Sequence, residues 1–79
     1  SLNWRERIAV DPKVLVGKPV IKGTRLAVEF VVELLAAGWT QQQILDNYPH
    51  ICQEGIQACL AYAVEVLHSE HIARFSQPE

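Results

Sequence analysis

Leu35-Ala36-Ala37-Gly38-Trp39-Thr40-Gln41-Gln42-Gln43-Ile44-Leu45 is the stretch whose reading decides the fold. Gly38 ends an apolar helical pattern as a left-handed residue, and Trp39 follows at the place of the accompanying hydrophobic contact. Thr40 and Gln43 stand at capping-box spacing, so the Thr40 hydroxyl accepts from the Gln43 amide and the Gln43 side chain returns to the Thr40 N–H. A helix stop followed within two residues by a helix start leaves only a tight turn between them. That is the beginning of a helix-turn-helix.

Working outward, Val28, Val31, Val32, Leu35 and Ala36 recur at helical spacing, with Phe30 and Leu34 widening the face. Glu29 and Glu33 lie i,i+4 on the other face and read as solvated, since no nucleophile or base partners them. The second helix ends by Asn47 or Tyr48, because Pro49 disfavours helix just before it. A third helix from about Gln53 to Arg74 carries a stripe of Ile56, Cys59, Leu60, Ala63, Val64 and Leu67, broadened by Tyr62 and Val66. Upstream, Ile8-Ala9-Val10 is a short β-prone run closed by the turn signal Asp11-Pro12, Val14-Leu15-Val16 is an apolar stretch broken by Gly17, and Pro19-Val20-Ile21 is a second short extended run, so two or three short strands fit residues 8–27. Lys22-Gly23-Thr24 reads as a tight turn with positive φ at Gly23.

The expected architecture is one mostly α domain: a loose lead-in over 1–7, a β ribbon over 8–27, a three-helix homeodomain-like bundle over 28–75 and a tail over 76–79. Apolar residues make up 49% of the chain and charged residues 20%. That balance is too apolar for disorder. A chain this short buries about 60% of its unfolded surface, so pairing with a second copy as a homodimer is expected to complete its core. No apolar run approaches the roughly 20 residues of a membrane span, and no signal-peptide pattern is present. Cytoplasmic residence is the expectation, and Ser1 reads as a processing remnant. Two cysteines are too few for a disulfide framework. His50, Cys52, Cys59, His68 and His71 lack metal-ligand spacing. Neither metal nor cofactor is expected, and no spacing suggests an enzyme.

Charge is strongly polarised. Residues 1–25 set Arg5, Arg7, Lys13, Lys18, Lys22 and Arg25 against Glu6 and Asp11, a balance of +4. Residues 26–79 set Arg74 against seven carboxylates, a balance of −6. This pattern fits a basic arm for an anionic partner or an acidic body for a basic one. The alternative is a pair of halves that neutralise each other on folding. Lys18, Lys22 and Arg25 are the anion-contact candidates, with Arg25 offering a bidentate fork. Equally, Arg25 could pin the ribbon to a helix end or to Asp46. At the start of the third helix Gln53 and Gln57 could meet base edges, Gln57 suiting adenine. That helix has no cation before Arg74, so any phosphate affinity must come from the N-terminal segment. The same lack of cations leaves open a protein-interaction module with no nucleic-acid role. Phe30, Leu34, Trp39, Tyr62 and Val66 form a candidate association patch.

Several elements together resemble domain-of-unknown-function family 433: Ile8-Ala9-Val10-Asp11-Pro12, Gly17-Lys18-Pro19-Val20-Ile21-Lys22-Gly23-Thr24-Arg25-Leu26, Leu35-Ala36-Ala37-Gly38-Trp39-Thr40, Ile44-Leu45, Tyr48-Pro49 and Ala58-Cys59-Leu60-Ala61-Tyr62-Ala63. The resemblance spans roughly residues 8–67. It implies the homeodomain-like bundle with its ribbon and an antitoxin-like regulatory role. A PIN-like nuclease toxin and operator DNA are then the expected partners. Cys52 departs from the family's Ser or Thr cap, and Ala27 from its common Pro.

Overall fold

The structure is a computed structural model that describes residues 3–75, with side chains described through Ser69. Two short strands, β1 (Ile8–Ala9) and β2 (Val20–Ile21), pair antiparallel with Ile8 opposite Ile21 and Ala9 opposite Val20. Three helices follow: α1 (Val28–Ala36), α2 (Gln41–Asn47) and α3 (Gln53–Phe75). The ribbon-plus-three-helix architecture is the one expected from the sequence.

The helix junctions follow from local chemistry. Gly38 takes φ 101° after α1. The Trp39 N–H donates to the Leu34 carbonyl and the Gly38 N–H to the Leu35 carbonyl, the paired bonds of a Schellman end. Both halves of the Thr40–Gln43 capping box form. Phe30 meets Tyr48 edge to face with centroids 5.9 Å apart. This aromatic pair closes α1 onto α2.

The core is small. Val31 of α1, Ile44 of α2, and Ile56, Ala58 and Cys59 of α3 are fully buried, and Ile8 and Ile21 bring the ribbon into the same cluster. The ribbon joins α1 through a bond from the Val28 N–H to the Pro19 carbonyl and a bridge between Val20 and Ala27. Ala27 provides no side-chain cap to α1.

Two expectations are corrected. Within 1–7, Trp4–Glu6 form a 3-10 turn capped by the Asn3 side chain, rather than a loose lead-in. Trp4 packs edge to face on Tyr62 at 4.8 Å, and its indole N–H donates to Glu65. Burying half of a Trp outweighs the polar composition of its neighbours. Between the strands, Val14 is extended but the rest of its apolar stretch turns. Leu15, Val16 and Gly17 take φ of 50°, 56° and 83° in succession. This left-handed turn costs the two non-glycine residues roughly 1–2 kcal/mol each. The α3 stripe is buried only as far as the bundle reaches: Val64 and Leu67 are 65% and 62% exposed. Helical periodicity continues past the point where α1 stops covering α3. The tail expected over 76–79 lies outside the described residues.

Candidate nucleic-acid interface

The turn Ile21-Lys22-Gly23-Thr24 closes with the Thr24 N–H on the Ile21 carbonyl, and Gly23 takes the expected positive φ of 82°. The Thr24 hydroxyl also donates to the Ile21 carbonyl and accepts from the Leu26 N–H. Thr24 therefore fixes how the chain leaves β2. Just beyond the Ile8–Ile21 pair, the Lys22 N–H donates to the Arg7 carbonyl at 2.7 Å. The ribbon thus sets Arg7 and Lys22 side by side across adjacent strand ends. Like charges so placed repel unless an anion joins them.

These two cations line one wall of a groove of about 500 Å³. Pro49, His50, Cys52 and Gly55, from the α2–α3 turn and the first turn of α3, form the other, and Glu6 also contributes. The Arg7 guanidinium reaches the Cys52 sulfur at 3.6 Å, which ties the ribbon to the start of α3. The first α3 bonds run to the Cys52 carbonyl, from the Gly55 and Ile56 N–H groups. Glu54 is held below the ordinary carboxylate range, first by its own backbone N–H, then by the Cys52 side chain, with Arg7 adding attraction. It stays ionised at the helix start, where the macrodipole favours negative charge.

The residues singled out from sequence are divided by the structure. Lys22 lies in the groove. Lys18 does not: its ammonium is 2.9 Å from Glu29 on α1, a contact that raises its pKa. Arg25 is exposed and, among the described residues, bonds neither a helix end nor Asp46 through its side chain; Asp46 accepts from Gln42 instead. Gln53 and Gln57 are both exposed on the first turns of α3, with the Gln53 amide 3.5 Å from Gln41. Sequence reasoning missed Arg7 and His50 as members of this groove. The signal for Arg7 was its place one residue before β1, which antiparallel pairing carries opposite Lys22.

The association patch is also divided. Leu34 and Trp39 are half-buried against the core, and Phe30 is half-buried against Tyr48. Tyr62 and Val66 line a second, apolar groove between α1 and α3. No helix among the described residues is long and apolar enough to cross a membrane.

Comparison with known proteins agrees with the fold. Residues 8–63 match the family described as "Protein of unknown function (DUF433)". An uncharacterized protein, y4eO, from Sinorhizobium fredii is 36% identical over 59 residues, covering 75% of this chain and 27% of that protein. The chain thus spans about a quarter of that relative's length. An uncharacterized protein of Archaeoglobus fulgidus is 62% identical over 29 residues, 37% of this chain and 81% of that one. The crystal structure of a DUF433 member from Anabaena variabilis superposes with a TM-score of 0.73 at 29% identity, covering 90% of this chain and 69% of that one. Ribbon, helix junctions and matched residues lead to one assignment: the chain belongs to the DUF433 family.

Proposed function

We propose that this chain is a non-enzymatic regulatory module that binds DNA through the start of α3 and the adjoining ribbon. The observation that carries the reading is the pairing of Arg7 with Lys22 beside the first turn of α3. Recognition helices need phosphate contacts close to the residues that reach base edges. α3 holds no Lys or Arg before Arg74, but the ribbon brings two cations to its N-terminal end. In this reading Arg7 and Lys22 grip the backbone, His50 adds a donor, and Gln53 and Gln57 meet bases.

The test is fluorescence anisotropy against the DNA upstream of the chain's own gene at two salt concentrations. Salt-dependent binding is expected. Lys22→Ala should weaken it uniformly across sequences and reduce the salt slope by about 1, whereas Gln57→Ala should relax sequence preference. Absence of salt-dependent binding overturns the proposal.

A second reading is an antitoxin-like module that holds a nuclease partner without touching DNA. The −6 balance of residues 26–79 and the ionised Glu54 at the start of α3 favour it. Capture of a basic nuclease from the native host, undiminished by Lys22→Glu and without any DNA binding, would select it.

A further inference from the structure

Three consecutive glutamines open α2, and each has a different task. Gln43 closes the capping box with Thr40. Gln42 donates to Asp46 one turn on. Gln41 instead reaches out of its own helix, and its side-chain carbonyl accepts from the Gln53 amide at 3.5 Å. Among the described residues this is the only side-chain hydrogen bond joining two of the three α-helices. Gln41 is half-buried, which restricts its own rotation, whereas Gln53 is exposed at the first position of α3. Gln53 also directly follows Cys52, the residue that Arg7 bonds in the cationic groove.

We infer that Gln41 is a positioning residue that holds Gln53 ready to read one adenine. The inference rests on the DNA reading above and assigns one element of its sequence preference. A glutamine amide has two N–H donors and a carbonyl acceptor. Gln53 commits one N–H to Gln41, which leaves it one donor and the acceptor. In the major groove adenine presents the matching pair, an acceptor at N7 and a donor at N6. An untethered surface glutamine turns freely, and binding must arrest that motion at a cost in affinity for the matching base. The tether meets part of that cost within the free protein. It also stands beside the Arg7–Lys22 pair, so the phosphate grip and the base contact are neighbours.

Selection of the full chain on a randomised duplex pool, followed by anisotropy on the selected duplex and its single-base-pair variants, tests the inference. Wild type should favour A·T at one position by about tenfold, and Gln53→Ala should abolish that preference. Gln41→Ala should cut the preference about fivefold at that position alone, with discrimination elsewhere and the salt slope as in wild type. Alanine is a strong helix former and leaves the Thr40–Gln43 cap in place, so α2 should persist. Gln41→Glu keeps an acceptor for the Gln53 N–H and should retain the preference while weakening all duplexes alike. In the Gln53→Ala background, Gln41→Ala should have no further effect. A role confined to joining the helices would instead weaken every duplex alike. Binding to no duplex overturns the DNA reading and this inference together. Binding without a Gln53-dependent A·T preference, or a preference indifferent to Gln41→Ala, overturns this inference alone. So does a preference lost in Gln41→Glu, or a Gln41→Ala effect that survives in the Gln53→Ala background.

Discussion

The Trp4 indole N–H donates a 2.6 Å hydrogen bond to the Glu65 carboxylate, joining residues 61 positions apart. Arg5 adds a 3.1 Å ion pair to the same carboxylate while its guanidinium stacks 4.5 Å from the Trp4 ring centroid. The ribbon, and with it Arg7, is thereby tied to α3. These contacts depress the Glu65 pKa below its ordinary 4.5, the Trp4 bond contributing most. A carboxyl depressed in the folded state stabilises fully above 4.5, and that stabilisation is lost as pH falls through the folded value. Thermal unfolding should therefore show wild type more stable than Glu65→Gln at neutral pH, with the gap closing below pH 4.5. A gap independent of pH would mean the carboxylate's charge adds nothing.

Thr40 and Gln43 satisfy each other's backbone N–H groups at 3.1 and 2.8 Å. Thr40→Ala should cost about 1 kcal/mol in urea unfolding. The loss for Thr40→Ala with Gln43→Ala should fall short of the two single losses added together, because the two bonds form one unit. Full additivity would show the bonds to be independent.

Gly55 lies in the first turn of α3, where a Cβ would meet Ile21 side-chain carbons at 3.6 and 3.7 Å, ordinary contact distances. Gly55→Ala should therefore stabilise by about 0.5–1 kcal/mol through helix propensity. Gly38 stands at φ 101°, a conformation that a Cβ disfavours. Gly38→Ala should accordingly lose about 1–2 kcal/mol. Midpoints of denaturant unfolding moving in opposite directions would bear this out; equal signs would not.

Cys52 is exposed, whereas Cys59 is fully buried and its thiol is pushed up to about 12 by desolvation. An aromatic disulfide reagent should titrate one thiol in the native protein and the second only on unfolding. Two fast-reacting thiols at neutral pH would contradict the burial of Cys59. Replacing Cys59 by Ser should cost about 1–3 kcal/mol by placing an unpaired hydroxyl in the core.

Much of the fold was legible because its decisive signals are local. Gly38 and the Thr40–Gln43 pair announce a helix end and a helix start within a few residues, and Pro49 stops α2 without tertiary help. What was not legible depends on contacts distant in sequence. Trp4 looks like a polar lead-in until Tyr62 and Glu65 are beside it. Leu15 and Val16 adopt φ values that their own side chains disfavour. Val64 and Leu67 fit the α3 stripe as well as Ile56 does, because period alone does not reveal where the covering helix ends. The basic segment was legible too, but proximity in sequence says little about where its charges go. Folding sends Lys18 to Glu29, leaves Arg25 exposed among the described residues, and sets Arg7 opposite Lys22.

The Trp4 anchor also fixes an order of events during synthesis. The ribbon leaves the ribosome first, yet the carboxylate that holds it is translated 61 residues later. Until α3 has emerged, the ribbon has only its joint to α1 to hold it, and a two-stranded ribbon is marginal by itself in water. The cationic groove between ribbon and α3 is consequently among the last surfaces to assemble, so an incomplete nascent chain has the charges for an anionic partner without the geometry to hold one.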